Sequence, residues 1–492
     1  MNLISNKTFN LIYDEAMDDV QAYLNKNIST EYSVSNREDV SSDKNYPRRD
    51  DFKLSRNRKY DQQFFSMYQY RLSTLKDGVD NNALAKWGDG TRKVDGQVIK
   101  KKEKILDIRG GELCWVSGTV FSDLKYKLNI LEDVDAGKDD VLPPFPKSYI
   151  RDDETWTVMI EDESGRAILN NDDFLKKNIL VTGCIVAVLG IEIQAGIFEI
   201  FDIVYPVPAP QRPLSASNRV KGKVALISGL NIDNNITNDL KLELLKQYLA
   251  GELGLDEEKQ SASQIADLII VGNSVQPIKQ DDSDETFISS NNYGSKNISK
   301  FNPESLTKFL HLIDDILASM PVTIMPGASD PAEICLPQQP LHRAIFSKSL
   351  DFYKNSILKL ATNPNWFDFE GVSLLGTSGQ NIEDIFKYLP EDVREDRNPA
   401  DVMEDTIKWQ NIAPTAPDTL YCYPYEGTDP FVLSKELPHV YFAGNQTTYS
   451  TKEFIHEDTR IRLISIPEFN ETGQVVILDL ESLTPSLLTI AV

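Results

Sequence analysis

The amino-acid sequence predicts an all-β barrel followed by a layered α/β domain. Between residues 96 and 206, β-rich segments follow one another with short turns. From residue 219 to residue 492, apolar strands alternate with helical segments, the pattern of strand-helix-strand units. A proline-rich stretch, PVPAPQRP at Pro206–Pro213, lies between the two patterns. At 492 residues the chain is long enough for two or three domains, each with its own core.

Charge and cysteine spacing exclude several classes of protein. The formal net charge of −24 is opposite in sign to that of proteins that hold phosphate backbones, so tight, independent nucleic-acid binding is not expected. No apolar run approaches the roughly 20 residues that span a bilayer, so we expect no membrane partner. The cysteines stand far apart, without a C-x-x-C pair, at Cys114, Cys184, Cys335 and Cys422. This spacing indicates reduced thiols in an intracellular protein and argues against a zinc or iron–sulfur site built by this chain alone.

The first 95 residues divide into an arm and a helical segment. Residues 1–59 are polar and poor in large aliphatic side chains, so we expect a flexible N-terminal arm, with a basic stretch at Arg48–Lys59. Residues 60–95 are expected to be helical, because apolar side chains recur there at helical spacing. These side chains are Phe65, Tyr68, Leu72, Leu75 and Val79. Their face is interpreted as packing rather than as a ligand site.

Residues 96–206 are predicted to form an OB-type barrel, because about five strands in this length fit a small Greek-key barrel. The strand segments are Glu112–Phe121, Thr155–Ile160, Val181–Leu189 and Ile197–Val204, and the count of five is completed either by a strand near Val98–Ile108 or by a bend in the first strand. Many OB barrels bind single strands by aromatic stacking beside a basic groove, but the hairpin Glu161–Arg166 has three carboxylates and one arginine. The basic run Lys100–Lys104 is interpreted as a solvated face or an import signal. We expect the barrel to contact protein, and single-stranded nucleic-acid binding is left open as the alternative.

Residues 207–218 are expected to be a linker, and residues 219–492 the layered α/β domain. The strands that end in glycine turns are predicted at Val224–Ile227, Asp267–Val271, Val322–Met325 and Val440–Ala443. Further strands are predicted at Val372–Leu375, Ile461–Ile466 and Val475–Leu480. Helices are predicted at Leu240–Leu249, from Asn302-Pro303 onward, and at Asn381–Leu389. Residues 280–299 and 391–405 are expected to be polar or charged inserts.

Four of these strands end in glycine turns with short polar side chains, the place where α/β sheets present their chemistry. A hydrolytic two-metal centre at such ends requires carboxylates and imidazoles that hold two cations about 4 Å apart. The residues at the ends are instead Gly229 and Asn231, then Gly272 and Asn273, then Gly327, Ala328, Ser329 and Asp330, and last Gly444, Asn445 and Thr447. Neutral amides cannot offset the charge of a dication, so we expect no metal site and no catalytic residue there.

This layout resembles the calcineurin-like metallophosphoesterases in the order and spacing of the strand ends and in their glycines. It departs from the family patterns DxH, GD, GNHD and GHxH in the ligands, because only Asp330 keeps a carboxylate. The resemblance implies a phosphoesterase-like domain that has lost its metal ligands and is inactive. An active metal-dependent phosphoesterase with atypical ligands, such as Asp267 and Asp330, is kept as the alternative.

Three longer strings resemble the B-subunit family of eukaryotic DNA polymerase delta. They are IMPGASDPAEICLPQQPLH at Ile324–His342, WQNIAPTAPDTLYCYPY at Trp409–Tyr425 and EDESGR at Glu161–Arg166. The similarity extends from about Tyr60 to the C-terminus. It implies a nuclear, non-catalytic scaffold subunit of the polymerase holoenzyme, which serves chromosomal DNA replication and repair.

The same resemblance implies the partners. The family holds the C-terminal domain of the catalytic subunit, which carries its own iron–sulfur cluster or zinc, together with a third, smaller subunit. In fungi such a subunit is also shared with the catalytic subunit of translesion polymerase zeta. DNA would be contacted only indirectly, and this chain would need no cofactor. Candidate partner contacts lie in two stiff proline loops that lose little entropy on docking, at Pro337, Gln338, Gln339, Pro340, Pro414 and Pro417. The alternative for these loops is plain fold architecture.

Overall fold

The polypeptide folds into a closed β-barrel joined to a sandwich of two β-sheets with helices on its outer faces. The computed structural model describes residues 37–40, 46–60, 63–94, 96–127, 147–150, 156–214, 220–233, 236–276, 302–349 and 356–491. The predicted insert at residues 280–299 and most of the predicted N-terminal arm lie outside these ranges. From Glu38 onward, the described residues pack as one unit.

Helix α1 (Phe65–Trp87) packs along the outside of the barrel. The residues that it buries recur every fourth position, which places them on one face of the helix: Met67, Arg71, Leu75, Val79, Ala83 and Trp87. The predicted helix is present, but its buried face is rotated from the predicted apolar stripe. Phe65 is exposed, and Arg71, which the hydrophobic pattern passed over, is buried instead.

The barrel follows α1 and closes on itself. After a short ribbon of β1 (Lys93–Val94) and β2 (Gln97–Val98), its strands are β3 (Lys100–Lys101), β4 (Leu113–Asp123), β5 (Thr157–Glu161), β6 (Arg166–Asn170), β7 (Ile185–Gln194) and β8 (Ile197–Val204). The strands pair in the order β3-β4-β5-β6-β8-β7, and a second pairing of β4 with β7 closes the sheet. A short helix, α2 (Asp172–Lys177), connects β6 to β7. Alternate residues of β4, such as Cys114, Val116 and Val120, fill the barrel interior.

The sandwich is built from two sheets. The strands of the first are β9 (Lys223–Ile227), β10 (Ile265–Val271), β11 (Val322–Met325), β12 (Leu358–Leu360), β18 (Gln474–Asp479) and β19 (Pro485–Thr489), paired in the order β12-β11-β10-β9-β18-β19. The strands of the second are β13 (Asn365–Phe369), β14 (Val372–Thr377), β15 (Val440–Gln446), β16 (Ser450–His456) and β17 (Thr459–Pro467), paired in the order β13-β14-β15-β17-β16. Apolar side chains such as Val271, Leu374 and Phe442 form the core between the sheets.

The helices of the sandwich domain cover the outer faces of both sheets. They are α3 (Ile236–Ala250), α4 (Asp256–Ser263), α5 (Pro303–Leu317), α6 (Gln380–Lys387), α7 (Glu391–Glu395), α8 (Pro399–Lys408) and α9 (Phe469–Thr472). Shorter 3₁₀ segments occur at Ile105–Asp107 in the barrel and at Arg343–Ser349. Of the helices in the described ranges, none has the length and apolar character needed to cross a bilayer.

Residues 391–405, predicted to be a charged insert, are largely helical. Helix α8 starts where the Asn398 side chain accepts a hydrogen bond from the Asp401 backbone N–H (3.2 Å), and Pro399 occupies the first turn. Its apolar side chains, including Val402 and Met403, are buried. Most of the charges that suggested an insert lie on α7 and on the turn after it, and Glu404 and Asp405 of α8 are held in ion pairs with Lys408 and Arg397.

Residues 46–59 are packed against the sandwich, so the prediction of a flexible arm is wrong for this segment. Tyr46 and Phe52 are only 4% and 1% exposed. The Arg48 guanidinium lies 4.1 Å from the ring centre of Trp366 and donates a hydrogen bond to the Glu436 carbonyl (2.9 Å). A few large side chains are sufficient to anchor a segment whose average composition is polar.

The described part of the predicted linker, residues 207–214, is also held against the sandwich. The Ala209 backbone N–H donates to Gln410 Oε1 (2.8 Å), and Gln211 Nε2 donates to the Pro438 carbonyl (2.8 Å). Proline limits the conformations of this stretch, and these bonds fix it in place. The connection between barrel and sandwich is therefore a fixed strut along its described length.

A buried ion pair lies at the junction of α1, the barrel and the sandwich. Arg71 Nε contacts Asp429 Oδ2 at 2.5 Å, and both side chains are 0% exposed. Arg71 Nη1 also donates to the Pro414 carbonyl (2.9 Å). Gly183, at the start of the barrel turn before β7, leaves room for this carbonyl, because a Cβ there would lie 2.1 Å from the Pro414 oxygen. One hydrophobic cluster runs from the barrel interior into the outer face of the second sheet.

Replacing Arg71 with methionine is expected to lower the free energy of unfolding by about 3–5 kcal/mol, because Asp429 would stay buried without a counter-charge. Lys176→Met is the matched control, since the Lys176–Asp392 pair also joins barrel to sandwich but is solvent-exposed; we expect a much smaller loss in this variant. Urea unfolding followed by tryptophan fluorescence gives both values. Equal losses in the two variants would contradict the role given to the buried pair.

Candidate functional site at the strand ends of the sandwich

The turns after β9, β10, β11 and β15 meet at one edge of the sandwich. Gly229 N donates to the Gly272 carbonyl (3.1 Å), so the first two turns are directly bonded. A Cβ on Gly272 would lie 2.8 Å from Gly327 Cα, and a Cβ on Gly444 would lie 2.6 Å from the Val271 carbonyl oxygen. The glycines at these ends are therefore required by close backbone packing, whether or not a ligand is bound.

The asparagines at three of the ends have an unusual backbone conformation. The φ angles of Asn231, Asn273 and Asn445 are 42°, 55° and 54°, in the left-handed region. Asparagine is one of the few residues other than glycine that adopts this region readily. The turn geometry is thus sufficient to explain asparagine at these positions.

Two of these asparagines bond to neighbouring turns. Asn273 Oδ1 accepts a hydrogen bond from the Ser329 backbone N–H (3.1 Å). Asn445 Nδ2 donates to the carbonyl oxygens of Val271 (3.1 Å) and Ser378 (2.8 Å). The amides therefore tie the ends of β10, β11, β14 and β15 together, while Asn445 Oδ1 is buried without a hydrogen-bond partner among the described residues.

The edge includes two residues that the sequence did not single out. Ser378 follows β14 and is bonded by Asn445, and Glu468 follows β17 and accepts a hydrogen bond from Asn231 Nδ2 (3.0 Å). Burial raises the pKa of Glu468. Ser378 could have been found from its sequence, because Ser378-Gly379 repeats the glycine-turn style of the other four ends. Glu468 carried no comparable signal.

Asp330, the carboxylate kept at these ends, is buried and used by the backbone. Its Oδ1 accepts hydrogen bonds from the N–H groups of Ser274 (2.8 Å) and Val275 (3.3 Å), and its Oδ2 accepts one from Gly327 N (2.8 Å). Burial raises the pKa of Asp330 to about 6, although these N–H donors oppose that change. The carboxylate fastens the turn after β11 to the turn after β10.

Asp267 and Asp330, the atypical ligands of the phosphoesterase alternative, are not brought together. Asp267 lies near the start of β10, six residues before Asn273, which corresponds to about 20 Å along an extended strand. Its carboxylate is paired with Lys359 Nζ at 2.6 Å, and burial raises its pKa. Two carboxylates so far apart cannot share a pair of cations about 4 Å apart.

The other potential ligands are similarly placed for packing. Within the described ranges, no group of three or more His, Cys, Asp or Glu side chains is placed to hold a metal ion. His439 is buried, accepts a hydrogen bond from Ser373 N (2.9 Å), and its Nε2 lies 2.8 Å from the Arg212 carbonyl. Burial lowers the pKa of His439. Ala328 and Thr447, at two of the former ligand positions, are exposed.

The predicted partner-binding loops divide by burial. Three of their residues, Pro337, Gln338 and Pro414, are buried. These three residues were predicted to bind a partner, but their burial assigns them to internal packing. Gln338 Nε2 donates to the Gly327 carbonyl (3.0 Å) and so braces the turn after β11. The remaining residues are half-buried at the surface: Gln339, Pro340 and Pro417. Gln339 Nε2 donates to the Phe52 carbonyl (3.0 Å), which helps to anchor the N-terminal segment.

The basic run of the barrel is neutralised within the chain. Lys100 and Lys102 both pair with Glu112, at 2.7 and 2.6 Å, and Lys101 pairs with Asp80 at 3.1 Å. The last lysine of the run, Lys104, lies 3.6 Å from Glu163. Cations held by carboxylates in this way offer little to a phosphate backbone.

The Asp330→Asn variant is expected to lower the free energy of unfolding by about 1–3 kcal/mol, because an amide nitrogen would face a backbone N–H donor. An unfolded aspartate ionises near pH 3.9, roughly two units below the folded value. The contribution of Asp330 to the free energy of unfolding of the wild type is therefore fully present below about pH 4 and is lost as the pH rises through about 6. The difference in free energy of unfolding between the wild type and the Asp330→Asn variant should therefore decrease from about pH 4 to about pH 6.

Urea unfolding at a series of pH values measures this gap. Asp315→Asn, on an exposed helix position, is the control and should give a small, nearly constant gap. A wild-type advantage that grows as the pH rises would show that the N–H donors outweigh burial and hold the pKa of Asp330 below its ordinary value.

Comparisons with known proteins agree on one family. Residues 224–452 match the B-subunit family of DNA polymerases alpha and epsilon, and residues 63–203 match the DNA polymerase delta subunit OB-fold domain. The chain is 40% identical to the DNA polymerase delta small subunit of Saccharomyces cerevisiae, over 90% of this chain and 93% of the relative. It is 34% identical to the small subunit of Oryza sativa, over 78% and 85% of the two chains. It is 32% identical to DNA polymerase delta subunit 2 of Drosophila melanogaster, over 86% and 92%.

These similarities confirm two predictions made from the sequence: the OB-fold barrel, and an accessory rather than catalytic subunit of the polymerase. The strings IMPGASDPAEICLPQQPLH and WQNIAPTAPDTLYCYPY, which carried the resemblance, lie inside the region matched by the B-subunit family. The chain therefore belongs to the family of DNA polymerase delta small subunits.

Proposed function

We propose that this chain is a non-catalytic scaffold of DNA polymerase delta, which bridges the C-terminal domain of the catalytic subunit and a third accessory subunit. It would act in the nucleus, in chromosomal DNA replication and repair. The observation that carries this proposal is the 40% identity to the Saccharomyces cerevisiae small subunit across 90% of the chain. The sandwich is accordingly proposed to be a phosphoesterase-like domain without its metal ligands.

The strand ends support a scaffold role over a catalytic one. The donor atoms that the sequence places there are neutral amides and hydroxyls. Asn273 Oδ1 and Asn445 Nδ2 bond to neighbouring turns, whereas Asn445 Oδ1 and Ser329 Oγ are buried without a hydrogen-bond partner among the described residues. The carboxylate of Asp330 accepts hydrogen bonds from three backbone N–H groups. Side chains bonded in this way hold the turns in place, and the two carboxylates at the edge, Asp330 and Glu468, already accept hydrogen bonds from Ser274 N and Asn231 Nδ2.

Charge and loop exposure support a protein partner. A net charge of −24 suits association with a basic subunit, and DNA would then be contacted only indirectly. Gln339, Pro340 and Pro417 are the loop residues with surface to offer that partner. An iron–sulfur cluster or zinc would belong to the C-terminal domain of the catalytic subunit. If the source is fungal, the same scaffold would also serve polymerase zeta.

Co-expression with the catalytic chain and the third subunit is expected to yield an equimolar complex by native mass spectrometry. Removing the C-terminal domain of the catalytic chain should release the catalytic chain and leave a complex of this chain with the third subunit. Direct association of the catalytic chain with the third subunit, in the absence of this chain, would contradict the bridging role.

Added Mn²⁺ is expected to leave the thermal unfolding midpoint unchanged and to support no hydrolysis of an aryl phosphate. A metal at a hundred times its dissociation constant would stabilise the fold by about 2.7 kcal/mol, a shift that differential scanning detects easily. The Asp330→Asn variant is the control. A Mn²⁺-dependent rise in the midpoint that is lost in this variant would restore the phosphoesterase alternative.

A further inference from the structure

A row of apolar side chains crosses the outer wall of the barrel. In the strand register, Phe121 of β4 pairs with Met159 of β5, Met159 pairs with Ile168 of β6, and Ile168 pairs with Ile197 of β8. We call these four residues the outer row. Their neighbours along each strand point into the barrel, so the alternation of a β-strand turns the outer row toward solvent.

The outer row is accessible, in contrast to the wall next to it. Ile168 is 38% exposed, and the other three members are half-buried. The wall formed by the other half of β4 is instead covered by α1, which buries Leu113 and Trp115. An apolar strip on a sheet face, in register across four strands, is a surface on which another protein could pack.

The cations beside the outer row are already engaged. Lys127 Nζ and the Arg166 guanidinium each lie 4.8 Å from the ring centre of Phe121. Lys127 is paired with Asp418 of the sandwich, and Arg166 is paired with Glu161 at 2.6 Å. Phe121 is the aromatic member of the outer row, and its ring is already in contact with both cations. The surface therefore lacks both the free charge and the free aromatic face that single-stranded nucleic acid needs.

Carboxylates border the outer row on its other side. Asp123 pairs in register with Thr157, and Glu199 pairs with Asn170. Glu199 accepts a hydrogen bond from the Asn170 amide, and Asp123 is exposed. Among the described residues, neither carboxylate forms an ion pair with a lysine or arginine. The rim is thus acidic, which favours a cationic partner over a phosphate backbone.

The chain's own sequence is a poor occupant of this surface. Residues 128–146, which connect β4 to β5, contain one lysine and the carboxylates Glu132, Asp133, Asp135, Asp139 and Asp140. An acidic segment would be repelled by the acidic rim.

We propose that the outer row docks a polypeptide segment of a partner subunit, one that carries apolar side chains next to lysines or arginines. The inference rests on the proposed scaffold function and adds the surface and the chemistry of the segment. Because the outer row begins at Phe121, beside the Lys127–Asp418 pair, a docked segment would contact the barrel next to its junction with the sandwich. Apolar contact would supply affinity, and the acidic rim would select for charge.

The test uses the full chain co-expressed with the catalytic chain and the third subunit. Ile168→Glu is expected to weaken the binding of one of these subunits by about tenfold or more. Ile455→Glu, at an exposed isoleucine on β16 of the sandwich, is the matched control and should bind both as wild type does. The urea midpoints of both variants check that the fold is kept, and Met159→Lys provides a second substitution in the outer row.

Wild-type binding of both subunits by the folded Ile168→Glu and Met159→Lys variants would overturn the docking surface and leave the scaffold function standing. Failure of the wild-type chain to bind either subunit would instead overturn the scaffold function. Reversing the charge of the rim with Asp123→Lys and Glu199→Lys is expected to weaken the binding of the same subunit further. Tighter binding of that subunit by the reversed rim would contradict the cationic segment.

Two further outcomes would assign the outer row to another occupant. Titration of wild type with a labelled single-stranded oligonucleotide at physiological salt is expected to show only nonspecific affinity, and a tight complex lost in Ile168→Glu would overturn the proposal. Alkylation of Ile168→Cys in a Cys335→Ser background should be fast in the free chain and slow in the complex. Slow alkylation in the free chain that becomes fast when residues 128–146 are deleted would show that the chain's own segment covers the outer row.

Discussion

The barrel and the sandwich are held together by a charge pair that water does not reach. Arg71 and Asp429 are both fully buried, and the guanidinium also bonds the Pro414 carbonyl. Taking two charges out of water is costly, and such a pair is tolerated only with close geometry and further hydrogen bonds. Arg71 comes from the helix on the barrel and Asp429 from a loop of the sandwich. The pair therefore specifies one relative placement of the two parts, and hydrophobic burial around it stabilises that placement.

The turns at the edge of the sandwich are joined by close backbone packing and by hydrogen bonds. Glycines let the turns approach to backbone contact, and asparagines in the left-handed region complete them. Asp330 and the amides then bond the turns to one another. These hydrogen bonds connect the turns of both sheets into one network at this edge.

Local patterns made the longer barrel strands, the strands β9, β10, β11, β14, β15, β17 and β18, and the helices α1, α3, α5 and α6 predictable from the sequence. Short apolar runs that end in glycine located β9, β10, β11 and β15, and the cap and proline at Asn302-Pro303 located α5. The same strand ends gave the candidate site, because parallel strands bring their carboxyl ends to one edge. The shorter helices α2, α4 and α9 were not predicted, and α7 and α8 were missed because charged residues dominate the composition of residues 391–405.

Contacts between distant positions could not be predicted in the same way. Arg71 and Asp429 are separated by 358 positions, and nothing local marks either as buried. Tyr46 and Phe52 lie in a polar segment, and only the fold supplies the surface that buries them. The outer row depends on register across four strands, which a single sequence does not give. Long-range charge pairs and register are properties of the assembled chain.

The fixed strut at residues 207–214 has a mechanical consequence. A loose tether would let barrel and sandwich sample many separations, and fixing one of these separations during assembly would cost conformational entropy. Because the strut is hydrogen-bonded to Gln410 and Pro438, the connection between the barrel and the sandwich is rigid along its described length. Under the proposed bridging role, a subunit bound to the barrel would be held at a set distance and angle from one bound to the sandwich. The conformational entropy of fixing the barrel relative to the sandwich is lost when this chain folds, and it is not lost again when a partner binds.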